Sequence, residues 1–452
     1  MVVSDSPSTM RQTDDYLSAL LQQSQAQTVR VRSEISGWLQ ELRQKAAYEV
    51  AHQTMPTRRD EEWRFTDLTA LKAIAFSPSA PAALEPDAIA PFTLPEATHS
   101  QIVFVNGVYV PELSDTTALP DGVFVGNLMT LPLDRCYDAI KYIAYQNDES
   151  EVFTALNSTG FPDVAVIWAQ ADVVVEQPIH LLWVTLPSDD PAFIQPRGLI
   201  VADPGASLQI VEQYAVATPL CSDMTPLPPY LNNSVVEVFV QENARVNHTR
   251  YQREAGSAFH IGKTAVSQKQ DSHYTINTVS LGAQLSRHNL GIWQQGPNTE
   301  TMLNGLALVD HTQVADTHSL IALNHPHGVT DQLHKCIVDA KGQGVFSGKV
   351  LVPQNAQQTQ AAQLNRNLLL SPQARVNTQP QLQITADNVK CTHGATVSQI
   401  DADELFYLQS RGISQDQSRY LLLDAFAAEV LERIPVPSLR HRLSQCVACR
   451  TE

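Results

Sequence analysis

The nine residues Val389-Lys390-Cys391-Thr392-His393-Gly394-Ala395-Thr396-Val397 close a long series of short apolar segments, and the hydrophobic period changes to that of a helix directly after them. On a strand, Cys391 and His393 face the same side, because side chains alternate along a strand. A thiol beside an imidazole can bind a soft or borderline metal, hold sulfide or transfer a proton. Taken alone, the pair favours an ordinary buried thiol beside a hydrogen-bonded histidine, since thiols bury readily whether or not they react.

Upstream of this stretch, short β-branched segments bounded by Gly, Asn, Asp and Pro follow one another from residue 164 to residue 384. Similar turn-and-strand fragments recur at 205–208, 243–246, 282–285 and 373–376, in the spacing of roughly 15 to 35 residues that is typical of stacked repeats. The Asn106-Gly107 pair predicts one two-residue hairpin turn, but hairpin turns at steady short intervals, which a β-sandwich would show, are scarce. The sequence therefore predicts a mainly β protein, a right-handed parallel β-helix, rather than a sandwich.

Helical patterns flank the predicted solenoid and would cap its two ends. Apolar residues at helical spacing predict one helix over 13–50, and the pattern returns after Ile400 as helices over 403–412 and 414–432. Gly412 is expected to stop the first of these two helices and Ser414 to cap the second. Pro435 and Pro437 are expected to end the last helix and leave a frayed tail. We divide the chain into an N-terminal helical region and linker (1–98), a β-helix core (99–400) and a C-terminal helical region (401–452).

Composition and charge exclude several classes of protein. The formal net charge of −17 argues against nucleic acid and anionic membranes as partners. Residues 1–25 show no secretory signal, and no apolar run is long enough to span a membrane. The six cysteines are too few and too scattered for a disulfide framework, so we expect a reducing, cytoplasmic location.

Four motifs together resemble the SufD family of iron–sulfur cluster assembly proteins. They are the sequences RDEEWRFTDL (59–68), FSGK (346–349), NTQPQLQI (377–384) and VKCTHGAT (389–396). With the two C-terminal helices, the resemblance covers nearly the whole chain. The paralogous SufB family has His-Glu-Ala after the cysteine, whereas this chain has His393-Gly394-Ala395. From the residues alone, the mixed charges and aromatics of 59–68 predict a structural clamp between the N-terminal helices and the β-helix.

The resemblance implies a non-catalytic scaffold subunit of the SUF (SufBCD) complex. It implies pairing with a SufB-like subunit through the β-helix, binding of the ATPase SufC, and a nascent iron–sulfur cluster held transiently at the SufB interface. His393 matches the histidine that faces an essential cysteine of SufB, and Cys391 lies two residues before it. Both are candidate metal ligands, although two ligands leave a cluster incomplete and a second subunit would have to supply the rest. The candidate residues for SufC binding are Glu404, Phe406, Tyr407, Arg411, Leu422 and Phe426.

Two alternative functions are open at this stage. A β-helix polysaccharide lyase or hydrolase would need paired carboxylates, but Asp310, Asp316, Asp331 and Asp339 are scattered. A stand-alone metal protein could use a histidine-rich stretch, although its spacing matches no standard zinc pattern. The residues of that stretch are His311, His318, His325, His327, His334 and Cys336.

Three smaller features complete the analysis. The chain has no phosphate-binding loop, which argues against ATP hydrolysis by this chain. The Cys446-x-x-Cys449 pair lies in the expected tail, and we interpret it as incidental rather than as a redox or metal motif. The last coil of a β-helix leaves an edge that must be covered, so a homodimer is one option when SufB is absent, and the sequence does not decide between a homodimer and a monomer.

Overall fold

The computed structural model describes residues 14–29, 31–79, 83–145, 151–218 and 227–448. The strands within these ranges are β1 (Ser77–Pro78), β2 (Gln101–Val105), β3 (Val108–Tyr109), β4 (Val123–Asn127), β5 (Ala165–Ala169), β6 (Ile179–Thr185), β7 (Ala192–Ile194), β8 (Arg197–Ala202), β9 (Ser207–Val216), β10 (Tyr230–Val240), β11 (Arg245–Glu254), β12 (Phe259–Gln268), β13 (His273–Gly282), β14 (Leu285–Gln294), β15 (Glu300–Val309), β16 (Val314–Ala322), β17 (Val329–Val338), β18 (Gln343–Val352), β19 (Gln360–Leu369), β20 (Arg375–Ile384) and β21 (Lys390–Gln399).

The α-helices of the same ranges lie mainly at the two ends of the chain. They are α1 (Asp15–Gln25), α2 (Ser36–Ala51), α3 (Thr69–Lys72), α4 (Pro86–Ile89), α5 (Leu133–Tyr142), α6 (Val152–Gly160), α7 (Ala402–Ser410), α8 (Gln415–Leu431) and α9 (Pro437–Ala448).

The long strands form two sheets of a parallel solenoid. From β8 onward, consecutive strands alternate between the sheets, and each pairs in parallel with the strand two positions along. One coil takes about 26 to 38 residues, as the pairings of Phe259 with Leu285 and of Arg197 with Val235 show. The predicted parallel β-helix is confirmed. The division into regions at residues 98/99 and 400/401 stays a prediction.

The space between the two sheets is apolar towards one side and polar towards the other. Val236, Val238 and Val266 belong to its apolar core. Beside them, His248 Nε2 lies 2.9 Å from Glu212 Oε2, both fully buried. Inward-facing charged and polar residues of this kind continue along β11 with Arg250 and occupy β12 with His260.

The N-terminal helices differ from the prediction of a single helix over 13–50, which is wrong. Helix α1 ends at Gln25, and α2 begins only at Ser36. The intervening residues include Val29 and Val31, which pack against the core of α2 and α5. Because β-branched residues pack well in extended backbone, this segment does not continue the helix.

The C-terminal end also differs from the prediction. Pro437 does not start a frayed tail but takes the first position of helix α9, where its missing N–H leaves no hydrogen bond unmade. Leu439 and Leu443 of α9 are buried against the sheet that contains β17 and β19. Two local predictions are confirmed: Ser414 caps α8 through the N–H of Gln417, and Gly412 adopts a φ of +86° where α7 stops.

The short Asn106-Gly107 turn joins β2 to β3 as a hairpin. Both residues have positive φ, 49° and 82°, and the strands pair antiparallel. Two-residue hairpin loops favour this pair of residues because both central positions need positive φ. The turn lies near the N-terminal end of the solenoid.

Candidate functional site

Strand β21 ends the solenoid and carries the two residues with which the sequence analysis began. It pairs with β19 through Cys391 beside Ala361 and His393 beside Gln363. Among the described residues, no strand pairs with its other edge. Cys391 is half-buried, His393 is exposed, and strand alternation places both on one face.

Cys391 is a shielded thiol rather than an activated one. It packs against the apolar core between the sheets. Burial raises the pKa of the thiol above its usual value, and the nearby Ala361 backbone offsets this only in part. Since the thiolate binds metals and attacks sulfur, Cys391 requires a neighbouring cation or metal to become reactive.

Beneath His393, a row of buried side chains leads into the solenoid. Gln363 Nε2 donates to Gln332 Oε1 at 2.8 Å, and Gln332 Nε2 donates to Ser319 Oγ at 2.8 Å. Gln363 Oε1 is buried and accepts no hydrogen bond within the described chain. No sequence motif points to Gln363, and the only signal for it is its place one coil before His393.

The candidate residues of the C-terminal region fall into two groups. Phe406 and Tyr407 are 72% and 57% exposed on α7, and the Tyr407 ring lies 5.2 Å from the Arg411 guanidinium. Glu404 is also exposed, while Leu422 is half-buried on α8.

Phe426 already contacts the β-helix of this chain. The ammonium group of Lys335, on β17, lies 4.4 Å from the centroid of the Phe426 ring. The same Lys335 Nζ donates to the Phe426 carbonyl at 2.8 Å. Phe426 therefore helps to fasten α8 to the solenoid.

The histidine-rich stretch is dispersed by the fold. His334 stacks on Phe346 at 4.7 Å, and burial lowers its pKa to about 4. Cys336 is buried on the same strand, where desolvation raises its pKa to about 12. His311 lies at an exposed turn beside Asp310.

His318 faces the N-terminal clamp, whereas His325 and His327 lie in the loop between β16 and β17 instead of facing one side of a strand. Across the described ranges, no three His, Cys, Asp or Glu side chains come together as a possible metal site.

The remaining motifs are also placed by the structure. Cys446 lies on α9, buried in the core between helices and sheet, while Cys449 lies outside the described residues. Asp316 is sealed beneath the clamp, ion-paired with Arg287, and Asp339 pairs with Arg419 at 3.1 Å. These two carboxylates are engaged, so they do not form the acid–base pair of a polysaccharide-cleaving enzyme.

The RDEEWRFTDL segment docks on the outer face of the sheet that contains β14, β16 and β18. The Arg287 guanidinium lies 3.9 Å from the centre of the Trp63 ring, and Thr66 Oγ1 donates to Asp316 Oδ2 at 2.5 Å. Gln343 Nε2 donates to the Phe65 carbonyl at 2.9 Å. The predicted clamp is confirmed.

In the part of the chain that the structure covers, no helix combines the length and the hydropathy needed to cross a membrane.

Comparison with known proteins places this architecture in one class. The family described as "SUF system FeS cluster assembly, SufBD core domain" matches residues 184–426, and the "SufBD protein N-terminal region" matches residues 10–181. An iron–sulfur cluster assembly SufBD family protein of Synechocystis is 50% identical over 409 residues, 90% of each chain. The chloroplastic protein ABCI7 of Arabidopsis thaliana is 36% identical over 410 residues, 89% of this chain and 84% of that protein.

A further relative narrows the class. The iron–sulfur cluster assembly protein SufD of Escherichia coli is 31% identical over 396 residues, 86% of this chain and 88% of that protein. The chain therefore belongs to the SufBD family of the SUF system, and its role lies in iron–sulfur cluster assembly. Within that family it is a SufD-like subunit, as the four motifs indicated.

Proposed function

We propose that this chain is a non-catalytic scaffold subunit that works in the cytoplasm. It pairs with a SufB-like subunit through the end of its β-helix and binds a SufC-like ATPase through residues 401–452. A nascent iron–sulfur cluster is its cargo, held transiently at the shared edge. The observation that carries this proposal is the uncovered strand β21, with Cys391 and His393 on one face.

The two terminal strands differ in their ability to pair with another chain. Strand β20 contains Pro380, which has no backbone N–H to donate. Strand β21 contains no proline, so its free edge can add a partner strand along its whole length. Pairing there would bring side chains of the partner close to His393.

The chemistry of the edge suits a shared site. A neutral imidazole and a thiolate are both iron ligands, but a cluster takes about four ligands in all. Because this chain offers two ligands, the SufB-like subunit would supply the remaining ligands of the cluster. We infer that Gln363 Oε1, buried beneath His393, accepts a hydrogen bond from the imidazole N–H once the edge is covered, because such second partners fix the orientation of a ligating ring.

The exposed aromatic side chains on α7 support the proposed ATPase contact. Phe406 and Tyr407 are large, apolar and solvent-exposed, whereas single helices of a folded chain usually bury such residues. Aromatic residues are also enriched at the energetic centres of interfaces. We therefore place the centre of the SufC-like contact at these two residues and its margin at Glu404, Arg411 and Leu422.

Anaerobic reconstitution of the complex with SufB- and SufC-like subunits tests the cluster site. The variant His393→Ala should lower the yield of cluster by about tenfold or more, while Thr392→Ala, on the opposite face of the same strand, should keep it. Cys391→Ser separates the role of the thiol from that of the ring. An undiminished cluster yield in His393→Ala complexes of normal stoichiometry would overturn the proposed site.

Co-purification tests the ATPase contact separately. Phe406→Ser should weaken binding of a SufC-like ATPase by about tenfold, because serine would bury much less apolar area in the interface than the phenylalanine ring. Tyr48→Ser, which removes an exposed aromatic ring from α2 and lies outside residues 401–452, is the matched control. Equal binding by both variants would move the contact away from α7 without affecting the conclusion on His393.

A further inference from the structure

A cleft of about 710 Å³ lies between the clamp and the outer face of the sheet that ends in β20, whereas β21 ends the other sheet. The segment with Asp60, Glu62 and Trp63 forms one wall. Outward-facing side chains of β12, β14, β16 and β18 form most of the floor, which reaches Gln381 on β20. Clefts of this size hold small organic molecules.

A buried cation at the floor of this cleft is unsatisfied. Lys263, on β12, is 7% exposed, and its Nζ makes no hydrogen bond within the described chain. Its neighbours in the sheet are Val235 and Asn289, neither of which carries a charge. A buried ammonium group without a partner is strongly unfavourable. A folded protein therefore keeps a buried lysine of this kind mainly where a bound anion can pair with its charge.

The carboxylates of the cleft are largely engaged elsewhere. The Glu62 carboxylate binds His318, and Glu151 accepts the N–H groups that begin helix α6. Asp60 accepts hydrogen bonds from the backbone N–H and the hydroxyl of Thr57, and Glu61 stands at the exposed rim. Lys263 therefore faces the cleft without a carboxylate of its own.

The floor beside Lys263 is apolar and flat. The Trp293 ring lies across Gly291, so closely that a Cβ atom added there would come within 2.3 Å of the indole. Leu320 and Lys349 continue the same row of the sheet. Lys349 is three strands across and two residues along from Lys263, about 16 Å at ordinary strand spacing and rise.

We propose that this cleft binds a small organic anion, with a carboxylate or phosphate group paired to Lys263 and a flat apolar body lying on Trp293. The site is separate from the edge of β21 and does not depend on cluster assembly. Lys349 gives a second cation at the far end for a longer ligand. The clamp forms the wall beside the ligand, held in place by the contacts of Trp63 and Glu62 with the same sheet.

Calorimetric titration of the full chain with three naphthalene probes tests this site. The carboxylate 2-naphthoate and the phosphate ester 1-naphthyl phosphate distinguish the two acidic groups, and the neutral naphthalenemethanol controls for apolar binding. We expect one or both anions to bind, and Lys263→Met to weaken that binding by about tenfold or more. Lys341→Met, at an exposed turn, should leave it unchanged.

A second measurement separates a ligand site from a structural lysine. Removing an unpaired buried charge should keep or raise the melting temperature of Lys263→Met in the absence of any ligand. Trp293→Leu should weaken the binding of both anions without altering their order. The proposal would be overturned if the wild-type chain and Lys263→Met bound the anions equally well, or if no anion bound at millimolar concentration. It would also be overturned if naphthalenemethanol bound as tightly as the anions, or if ligand-free Lys263→Met showed a marked loss of stability.

Discussion

His318 Nδ1 lies 2.9 Å from the Glu62 carboxylate, and this contact joins the N-terminal helical region to the β-helix 256 residues further along the chain. The other nitrogen of the ring lies 3.0 Å from Asp316 Oδ1. One imidazole thus bridges a carboxylate of the clamp and a buried carboxylate of the solenoid. We expect protonation of His318 to change how much this contact contributes to the stability of the clamp.

Stability should depend on pH through this bridge. Burial lowers the pKa of His318, but Asp316 and Glu62 more than offset it, so its pKa is raised. A group whose pKa is raised by folding contributes its full stabilisation at pH values below its pKa in the unfolded chain, about 6.5 for histidine. That contribution is lost as the pH rises through the pKa of the folded state. The hydrogen bond from His318, opposed by burial, lowers the pKa of Glu62, whose contribution is lost as pH falls through that lower value.

We therefore expect the clamp to contribute most near pH 5 to 6. Chemical denaturation should show a difference of about 1 kcal/mol in unfolding free energy between wild type and His318→Gln there, shrinking above pH 8. His311→Gln, at an exposed turn, serves as the control. A difference that stays constant from pH 5 to 9 would show that protonation of His318 is not involved.

The Arg287–Asp316 ion pair beneath the clamp should behave as a unit. Burial opposes ionisation of Asp316, yet the Arg287 guanidinium keeps its pKa far below the usual range. Asp316→Asn leaves the Arg287 charge unpaired and should destabilise the protein by about 3 kcal/mol. The double variant Arg287→Met/Asp316→Leu should recover much of that loss, measured by urea denaturation. A double variant as unstable as the single one would contradict this account.

Lys335 should control the docking of α8 on the solenoid. Its ammonium group binds the Phe426 carbonyl and pairs with Glu429, while burial lowers its pKa. In Lys335→Met, amide hydrogen exchange in α8 should accelerate by about tenfold, since the lost contacts correspond to about 1.4 kcal/mol. Lys390→Met, which replaces an exposed lysine on β21, is the control. Unchanged exchange in α8 would show that apolar packing alone holds the helix.

The free edge of β21 should allow two copies to associate when a SufB-like subunit is absent. Val397 is 49% exposed on this edge strand, and a charge placed on an edge opposes pairing. Val397→Lys should weaken self-association by about tenfold in sedimentation velocity. Gln409→Lys adds the same charge on α7 instead of on the edge strand, and it should not weaken self-association. A dimer unaffected by Val397→Lys would place the self-contact elsewhere.

The apolar pattern of the strands is weakest where the interior of the solenoid is polar. Strands such as β9 and β13 carry apolar residues at alternate positions, which makes them recognisable in the sequence. In β11 and β12 the inward positions carry His248, Arg250 and His260, which a sequence pattern assigns to the surface. Their partners, such as Glu212 for His248, come from neighbouring coils. No local pattern records such a pairing.

By itself, the sequence determined the stacked-coil architecture, the helical regions at both ends, the Asn106-Gly107 hairpin and the Cys391–His393 pair. These follow from contacts between residues close along the chain, such as turn geometry, capping and side-chain alternation. Only the tertiary structure decided that Pro437 begins a helix, that the histidine-rich stretch is dispersed, and that Lys263 lies unpaired beneath the clamp. The physical reason is that burial and charge pairing depend on which coils become neighbours, a property of the assembled fold and not of any one segment.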